Sequence, residues 1–391
     1  MLGAPVGRFA KPVGANAPEL FFFGPQRNIM IHLAIPGALG VLAVFLRPIL
    51  DKSVILMDKF LVNLIKLIIS KLSLGGYVLF KPRYIQLEPT ILCNLRCTTC
   101  NQEIKKRSEK RTMTLDEFKY IVDQFKTLKY LNLTGYGEPL LNEHIFDMVK
   151  YAAEKKIKTH FATNSTMLGK PGCAQTLIDS GLYSLIFSID AADKKTFESI
   201  RVGANFDNVI SNIETFQKAN REAGQPVMTQ IYFVATQDNL DQIEAMVELG
   251  AKLGVDNIRI QNLYDHSGEG GECLKRAAYS KNNLQNAREA LGKAAAKAKE
   301  LAVKIERSPL GPNWQYVCRM PFYYVYITVE GDVTPCCLQG VDPRVVSFGN
   351  LHQKTFDEIW NGPEIRAFRK ALRSKNPPPI CKSCPRLHGL V

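Results

Sequence analysis

YIQLEPTILCNLRCTTC, residues 84–100, decides how this chain is read. Its first half is strand-like, with Ile85 and Leu87 alternating with Tyr84, Gln86 and Glu88 up to Pro89. Cys93, Cys97 and Cys100 follow at once as a C-x3-C-x2-C set. Three thiolates on one short loop hold three irons of a 4Fe–4S cube and leave the fourth iron open to a small chelating molecule. A structural zinc site takes four protein ligands, and no fourth cysteine lies nearby in the sequence.

Outward from this stretch the pattern repeats. Strand-like runs stand at 84–90, 130–135, 158–164, 184–190, 229–236 and 257–263. Amphipathic runs such as LDEFKYIVDQFKTL, HIFDMVKYAAEKK, NVISNIETFQKAN and LDQIEAMVELGAKLG separate them. Six strand–helix repeats predict a parallel sheet with right-handed crossovers, open or curled into a barrel. The fold class is therefore α/β, a partial six-repeat TIM-like barrel. In such barrels chemistry gathers at the carboxyl ends of the strands, where the three cysteines stand.

Other polar residues close the same strands. Thr134-Gly135-Tyr136-Gly137-Glu138-Pro139 ends the second strand, Asn164 the third, and Ser188 with Asp190 the fourth; Arg201 follows. The glycines allow a close backbone approach.

The remaining cysteines fall mostly near the C-terminus. Cys318 stands ahead of a hairpin-like run, VYITVEGDVTPCC, that ends in Cys336 and Cys337, and Cys381 and Cys384 form a C-x2-C knuckle. Between them TFDEIWNGPEIRAFRKALR reads as helix broken at Gly362-Pro363. Four thiolates from separated loops make a closed site for a 4Fe–4S cluster or for zinc. Cys173 and Cys273 read as ordinary thiols. The Gly-rich loop around Cys273 also carries Asp265, His266, Glu269 and Glu272 as candidate acid–base groups.

The chain has 391 residues, a formal charge of +13 and 46% hydrophobic residues, which excludes a disordered chain and a polytopic membrane protein. The charge is concentrated at the two ends. Residues 1–80 hold eight Lys/Arg against three Asp/Glu, and residues 361–391 hold seven against one. That distribution, without aromatics interleaved among the cations, argues against nucleic-acid binding. No cleavable signal peptide is evident, so the clusters read as metal ligands in a reducing cytoplasm.

The N-terminal 80 residues form an apolar extension. Residues 30–46 make an apolar run of 17 residues interrupted by Pro36, at the lower limit for a membrane span. Residues 53–73 carry a narrow polar stripe, Lys59, Asn63, Lys66, Ser70 and Ser73, beside a wide apolar face. That suits a helix lying in a membrane interface, or one packed on the main domain or at a dimer contact. The predicted division is 1–80 for this extension, 81–305 for the barrel and 306–391 for a small cysteine-rich domain.

The cysteine triad with the repeats around it strongly resembles the radical S-adenosylmethionine (radical SAM) superfamily. The C-terminal cysteines with Gly349-Asn350-Leu351 and Ile359-Trp360 resemble the SPASM or twitch extension of one branch. The resemblance implies that Cys93, Cys97 and Cys100 bind the SAM cluster. It assigns SAM contacts to Gly135, Gly137, Glu138, Asn164, Ser188, Asp190 and Arg201. It implies one auxiliary 4Fe–4S cluster on Cys318, Cys336 or Cys337, Cys381 and Cys384. The position before the third cysteine, often aromatic in the family, is Thr99 here. SAM cleavage to a 5′-deoxyadenosyl radical and hydrogen abstraction from an unactivated carbon are then expected, fed by a flavodoxin- or ferredoxin-type donor. The apolar, basic N-terminus turns the expectation toward a lipid or membrane-associated substrate and a peripheral site on the cytoplasmic face. A peptide- or protein-modifying maturase is the second reading, and a non-catalytic Fe–S scaffold or redox sensor the third.

Overall fold

A computed structural model describes residues 76–101, 111–263, 276–279, 283–310, 318–338, 341–382 and 384. The apolar runs at 30–46 and 53–73 lie outside the described residues, as do Cys273 and the candidate acid–base groups between 265 and 272. Among the described residues no helix is long and apolar enough to cross a membrane.

The six expected strands are present: β1 (Tyr84–Leu87), β2 (Tyr130–Asn132), β3 (Lys158–Thr163), β4 (Ser184–Ser188), β5 (Met228–Ala235) and β6 (Asn257–Asn262). Helices α1 (Leu115–Asp123), α2 (Ile145–Glu154), α3 (Cys173–Asp179), α4 (Lys194–Ile200), α5 (Phe206–Glu222) and α6 (Ile243–Leu253) connect them. After α7 (Leu284–Glu300) a seventh strand, β7 (Ile305–Arg307), joins β6 in parallel. Local chemistry sets several of these boundaries. Thr114 and Glu117 form a reciprocal capping box at the start of α1, and Gly254 ends α6 in the left-handed region at φ +71.

The C-terminal hairpin is β8 (Tyr326–Ile327) with β9 (Val333–Thr334), antiparallel as expected. Its first strand pairs in parallel with β1, Gln86 against Tyr326 and Leu87 against Ile327. Among the described residues the sheet therefore has nine strands in the order β7-β6-β5-β4-β3-β2-β1-β8-β9, parallel up to β8 and not closed. Helices α8 (Phe356–Trp360), α9 (Pro363–Leu372) and α10 (Pro379–Lys382) follow, with the expected break at Gly362-Pro363.

Strand alternation sorts the side chains. Ile85, Leu87, Leu131, Phe161, Leu185, Phe187, Ile231, Phe233, Ile258 and Ile260 join the helices in one apolar core. The opposite, inner face is polar. Gln86 is in register with Asn132, Asn132 with His160, and His160 with Ser184. Gln230 Nε2 donates to Ser184 Oγ at 3.2 Å, and Asn257 Nδ2 donates to Gln230 Oε1 at 3.2 Å. A belt of buried polar groups thus crosses the sheet on one level.

Candidate active site and cysteine centres

The loop carrying Cys93, Cys97 and Cys100 leaves β1 and is tied down along its length. Arg96 N–H donates to Val202 O at 2.9 Å, and Thr98 N–H donates to Ile200 O at 2.8 Å. Asn164 Nδ2 donates to Asn94 Oδ1 at 2.9 Å, and Asn94 Nδ2 donates to Thr166 Oγ1 at 2.8 Å. All three cysteines are half-buried. Asn164 at the end of β3 and Arg201 at the end of α4 are thereby brought against one loop.

Gly135 and Gly137 pack against the same exit from β1. A Cβ on Gly135 would run into the Glu88 side chain, and one on Gly137 into the carbonyls of Thr90 and Leu92. At both positions the space a Cβ would take is filled by the chain itself. Glu138 N–H donates to Leu92 O at 2.7 Å. The Glu138 carboxylate accepts from Thr163 Oγ1 at 2.7 Å, Asn164 N–H at 2.7 Å and Leu140 N–H at 3.2 Å. A carboxylate offers about four acceptor positions, so one remains for a ligand donor. Burial pushes the Glu138 carboxyl up, against these hydrogen bonds and the charge of Arg201.

Asp190 is fully buried. One oxygen accepts from Val234 N–H at 2.8 Å, and the other lies 2.7 Å from Arg201 Nη2. It faces Arg201. Burial works against the guanidinium of Arg201, yet Asp190 and the thiols of Cys97 and Cys100 hold its proton affinity above the usual value. Its Nε–H is buried without a partner. Ser188 is half-buried at the end of β4, in register with Tyr232.

Three thiols on one tethered loop, a guanidinium close to two of them, and an orphaned buried N–H beside them suit an anionic cluster with a carboxylate-bearing ligand. Among the described residues no three His, Cys, Asp or Glu converge as a single-ion site. A cube spreads its thiolates over separate irons.

Cys318, Cys336, Cys381 and Cys384 line one cavity with Met320, Phe368 and Leu372. Burial raises the Cys381 thiol, and Cys318 and Cys384 raise it further. Cys337 is not among the lining residues. It lies on the side of Tyr324, whose hydroxyl is raised well above its usual value by burial and by Cys337. Cys173 is buried in the core, its thiol pushed up to about 11 by burial, as an ordinary structural thiol would be.

Sequence reasoning missed Glu88 and the inner-face rings. Glu88 is fully buried and accepts from Tyr136 N–H at 2.8 Å and from Val329 N–H at 3.2 Å. It joins the glycine motif to the C-terminal hairpin. Tyr84 lies between His160 and Tyr324, with ring centroids 6.0 and 5.3 Å away. The signal for both was present: Tyr84, Gln86 and Glu88 are the polar half of the β1 alternation.

Comparison with known proteins agrees with this geometry. The Radical SAM superfamily model matches residues 87–250, and the SPASM iron–sulfur cluster-binding domain matches residues 318–385. An AdoMet-dependent heme synthase of Methanosarcina barkeri is 26% identical over 74% of this chain and 84% of its own length. The mycofactocin maturase MftC of Mycolicibacterium smegmatis is 28% identical over 49% of this chain and 47% of its own. The crystal structure of Streptococcus suis SuiB bound to the precursor peptide SuiA shares the fold, with a TM-score of 0.64, 19% identity and coverage of 89% of this chain and 84% of that one.

Proposed function

The chain belongs to the radical SAM enzymes that carry a SPASM domain, and on that footing we propose that it is a maturase acting on a peptide or protein. Cys93, Cys97 and Cys100 hold the SAM cluster in this reading. Gly135 to Glu138, Asn164, Ser188 and Arg201 surround SAM, and Asp190 keeps Arg201 in place. Cys318, Cys336, Cys381 and Cys384 hold an auxiliary cluster, and Cys337 is left over. When bound, cluster and SAM supply a 5′-deoxyadenosyl radical that takes a hydrogen from an unactivated carbon. A flavodoxin- or ferredoxin-type donor provides the electron.

The observation that carries the peptide reading is the polar inner face of the sheet. Tyr84, Gln86, Asn132, His160, Ser184, Gln230 and Arg259 share it by strand alternation. Asn132 Oδ1, Asn257 Oδ1 and both ring nitrogens of His160 are buried without hydrogen-bond partners. An acyl chain against such groups leaves them unsatisfied, at about 1–3 kcal/mol each. A peptide brings donors and acceptors of its own. The names of the maturase relative and of the peptide-bound fold neighbour point the same way. The lipid substrate and membrane surface expected from the N-terminal extension have no counterpart among the described residues or these relatives.

Deuterium tracing tests this reading. Anaerobically reconstituted protein with SAM and dithionite is offered deuterated peptides from a proteolysed cell extract, or deuterated phospholipid. Label in 5′-deoxyadenosine from the peptide pool is expected; label from phospholipid alone overturns the proposal.

A further inference from the structure

Arg369 carries its charge in the interior of the protein. Its side chain is fully buried on α9, and every hydrogen bond it makes among the described residues goes to a neutral oxygen. Nε–H donates to Pro321 O at 2.7 Å. Nη1 donates to Trp360 O at 2.8 Å, to Gly76 O at 3.1 Å and to Asn361 Oδ1 at 3.3 Å. Nη2 is buried without a partner. The guanidinium lies 4.1 Å from the ring centroid of Trp360 and 5.8 Å from that of Phe322. Burial, and then Arg373, lowers its pKa from the usual 12.5 to about 9. The contrast is Arg201, whose buried guanidinium has Asp190 at 2.7 Å.

A charge taken out of water needs an opposite charge, or it is driven to neutralise. Ring faces and carbonyl dipoles attract a guanidinium, but they supply no unit charge. The place of Arg369 indicates where that charge comes from. Phe368 and Leu372, on either side of it along α9, both line the four-thiol cavity. Pro321, which accepts from its Nε–H, lines the cavity too. The guanidinium therefore stands just behind the cavity wall. That wall is apolar between the thiols, with Met320, Phe368 and Leu372. Charges interact strongly across such a wall because little water screens them. A 4Fe–4S cube on four thiolates is a net anion, and its charge and surroundings set its potential.

We propose that Arg369 is the internal counter-charge of the auxiliary centre and raises that centre's reduction potential. The inference rests on the assignment of Cys318, Cys336, Cys381 and Cys384 to that centre. Reduction adds one negative charge to the cluster, so a fixed cation nearby favours the reduced form over the oxidised one. The cluster in turn compensates a guanidinium that the protein leaves without an acid among the described residues.

The experiment uses the full chain with Cys93→Ala/Cys97→Ala/Cys100→Ala as background, so that the auxiliary centre alone is read. The protein is reconstituted anaerobically, its iron is counted, and the reduced cluster is followed by electron paramagnetic resonance in a potentiometric titration. Arg369→Gln removes the charge and keeps an amide donor. At the background protein's midpoint its ratio of reduced to oxidised cluster is expected to fall about tenfold, a downward shift of about 59 mV for one electron. Arg369→Lys keeps the charge without the planar fork and is expected to stay near the background value. Arg373→Gln, which removes an exposed cation of the same segment, is expected to shift the potential less. Should Arg369→Gln take up no iron, uptake of about four irons by Arg369→Lys still ties the centre to the charge. Failure of both variants to load assigns Arg369 to the fold alone and overturns the proposal. An unchanged potential in Arg369→Gln, or an equal shift in Arg373→Gln, overturns it as well. A background protein without iron rejects the auxiliary centre itself, and the proposal with it.

Discussion

Arg201 Nη2 lies 2.7 Å from Asp190 Oδ2, and the pair sits under the loop that carries the first three cysteines. Asp190 is fully buried. Its second oxygen takes Val234 N–H, so the acid fixes the guanidinium to β5 while Arg201 faces Cys97 and Cys100. Asp190→Asn keeps an acceptor for Val234 but leaves Arg201 buried and unpaired. Breaking such a pair costs about 3–5 kcal/mol. Chemical denaturation of the variant is expected to show a loss of that size, and titration with SAM a weaker affinity. A variant as stable as the parent would show that Arg201 finds another partner.

The glycine motif is expected to fail for a packing reason. Gly137→Ala drives a methyl group into the carbonyls of Thr90 and Leu92, which are backbone and cannot swing aside. The exit from β1 then shifts, and the cysteine loop shifts with it. We expect 5′-deoxyadenosine formation to disappear and about four irons to remain, those of the C-terminal centre. Retention of about eight irons would place the damage in SAM binding alone.

The two adjacent cysteines are expected to part ways. Cys336 lines the cavity with three other cysteines, and Cys337 lies beside Tyr324. Cys336→Ser should lower the iron count by about four, while Cys337→Ser should leave it at the parent level. The reverse result would exchange their roles.

His160 gives a pH signature. Burial lowers its pKa from 6.5 to about 4, and it stacks on Tyr84 with ring planes 6° apart. Below its unfolded value the unfolded chain takes up a proton that the folded chain refuses. This contribution to stability is complete above about pH 6.5 and is lost as pH falls toward 4. Over the whole window it amounts to about 3 kcal/mol. His160→Phe should flatten stability over that window; an unchanged slope would assign the acid sensitivity to carboxylates.

Much of the architecture was legible because its signals are local. The six strands alternate, the helices are amphipathic, and the Gly362-Pro363 break needs no tertiary context. What was not legible depends on partners far away in the chain. β7 is three residues long and only partly buried, too short to show a period. The pairing of β8 with β1 joins residues some 240 positions apart, which no window of sequence reports. Arg369 reads as one more surface cation of α9. It is buried, donating to Pro321 O at 2.7 Å and Trp360 O at 2.8 Å. Asp190 and Arg201 were each singled out by the sequence, but their pairing depends on how β4 and α4 pack. With Cys336 and Cys337, alternation indicates that neighbours point to opposite sides and leaves open which side is which.

The C-terminal hairpin lies along β1, and Glu88 at the end of that strand accepts from Tyr136 on one side and Val329 on the other. A chain cut after Arg307 would uncover the edge of β1, a template for pairing with other chains. It would also deprive a buried carboxylate of one of its backbone donors. Neither half can therefore be exchanged freely for the corresponding half of a distant relative. Recombination between the two cysteine centres breaks a shared seam, so substitutions along β1 and along residues 325–334 are expected to be inherited as one block.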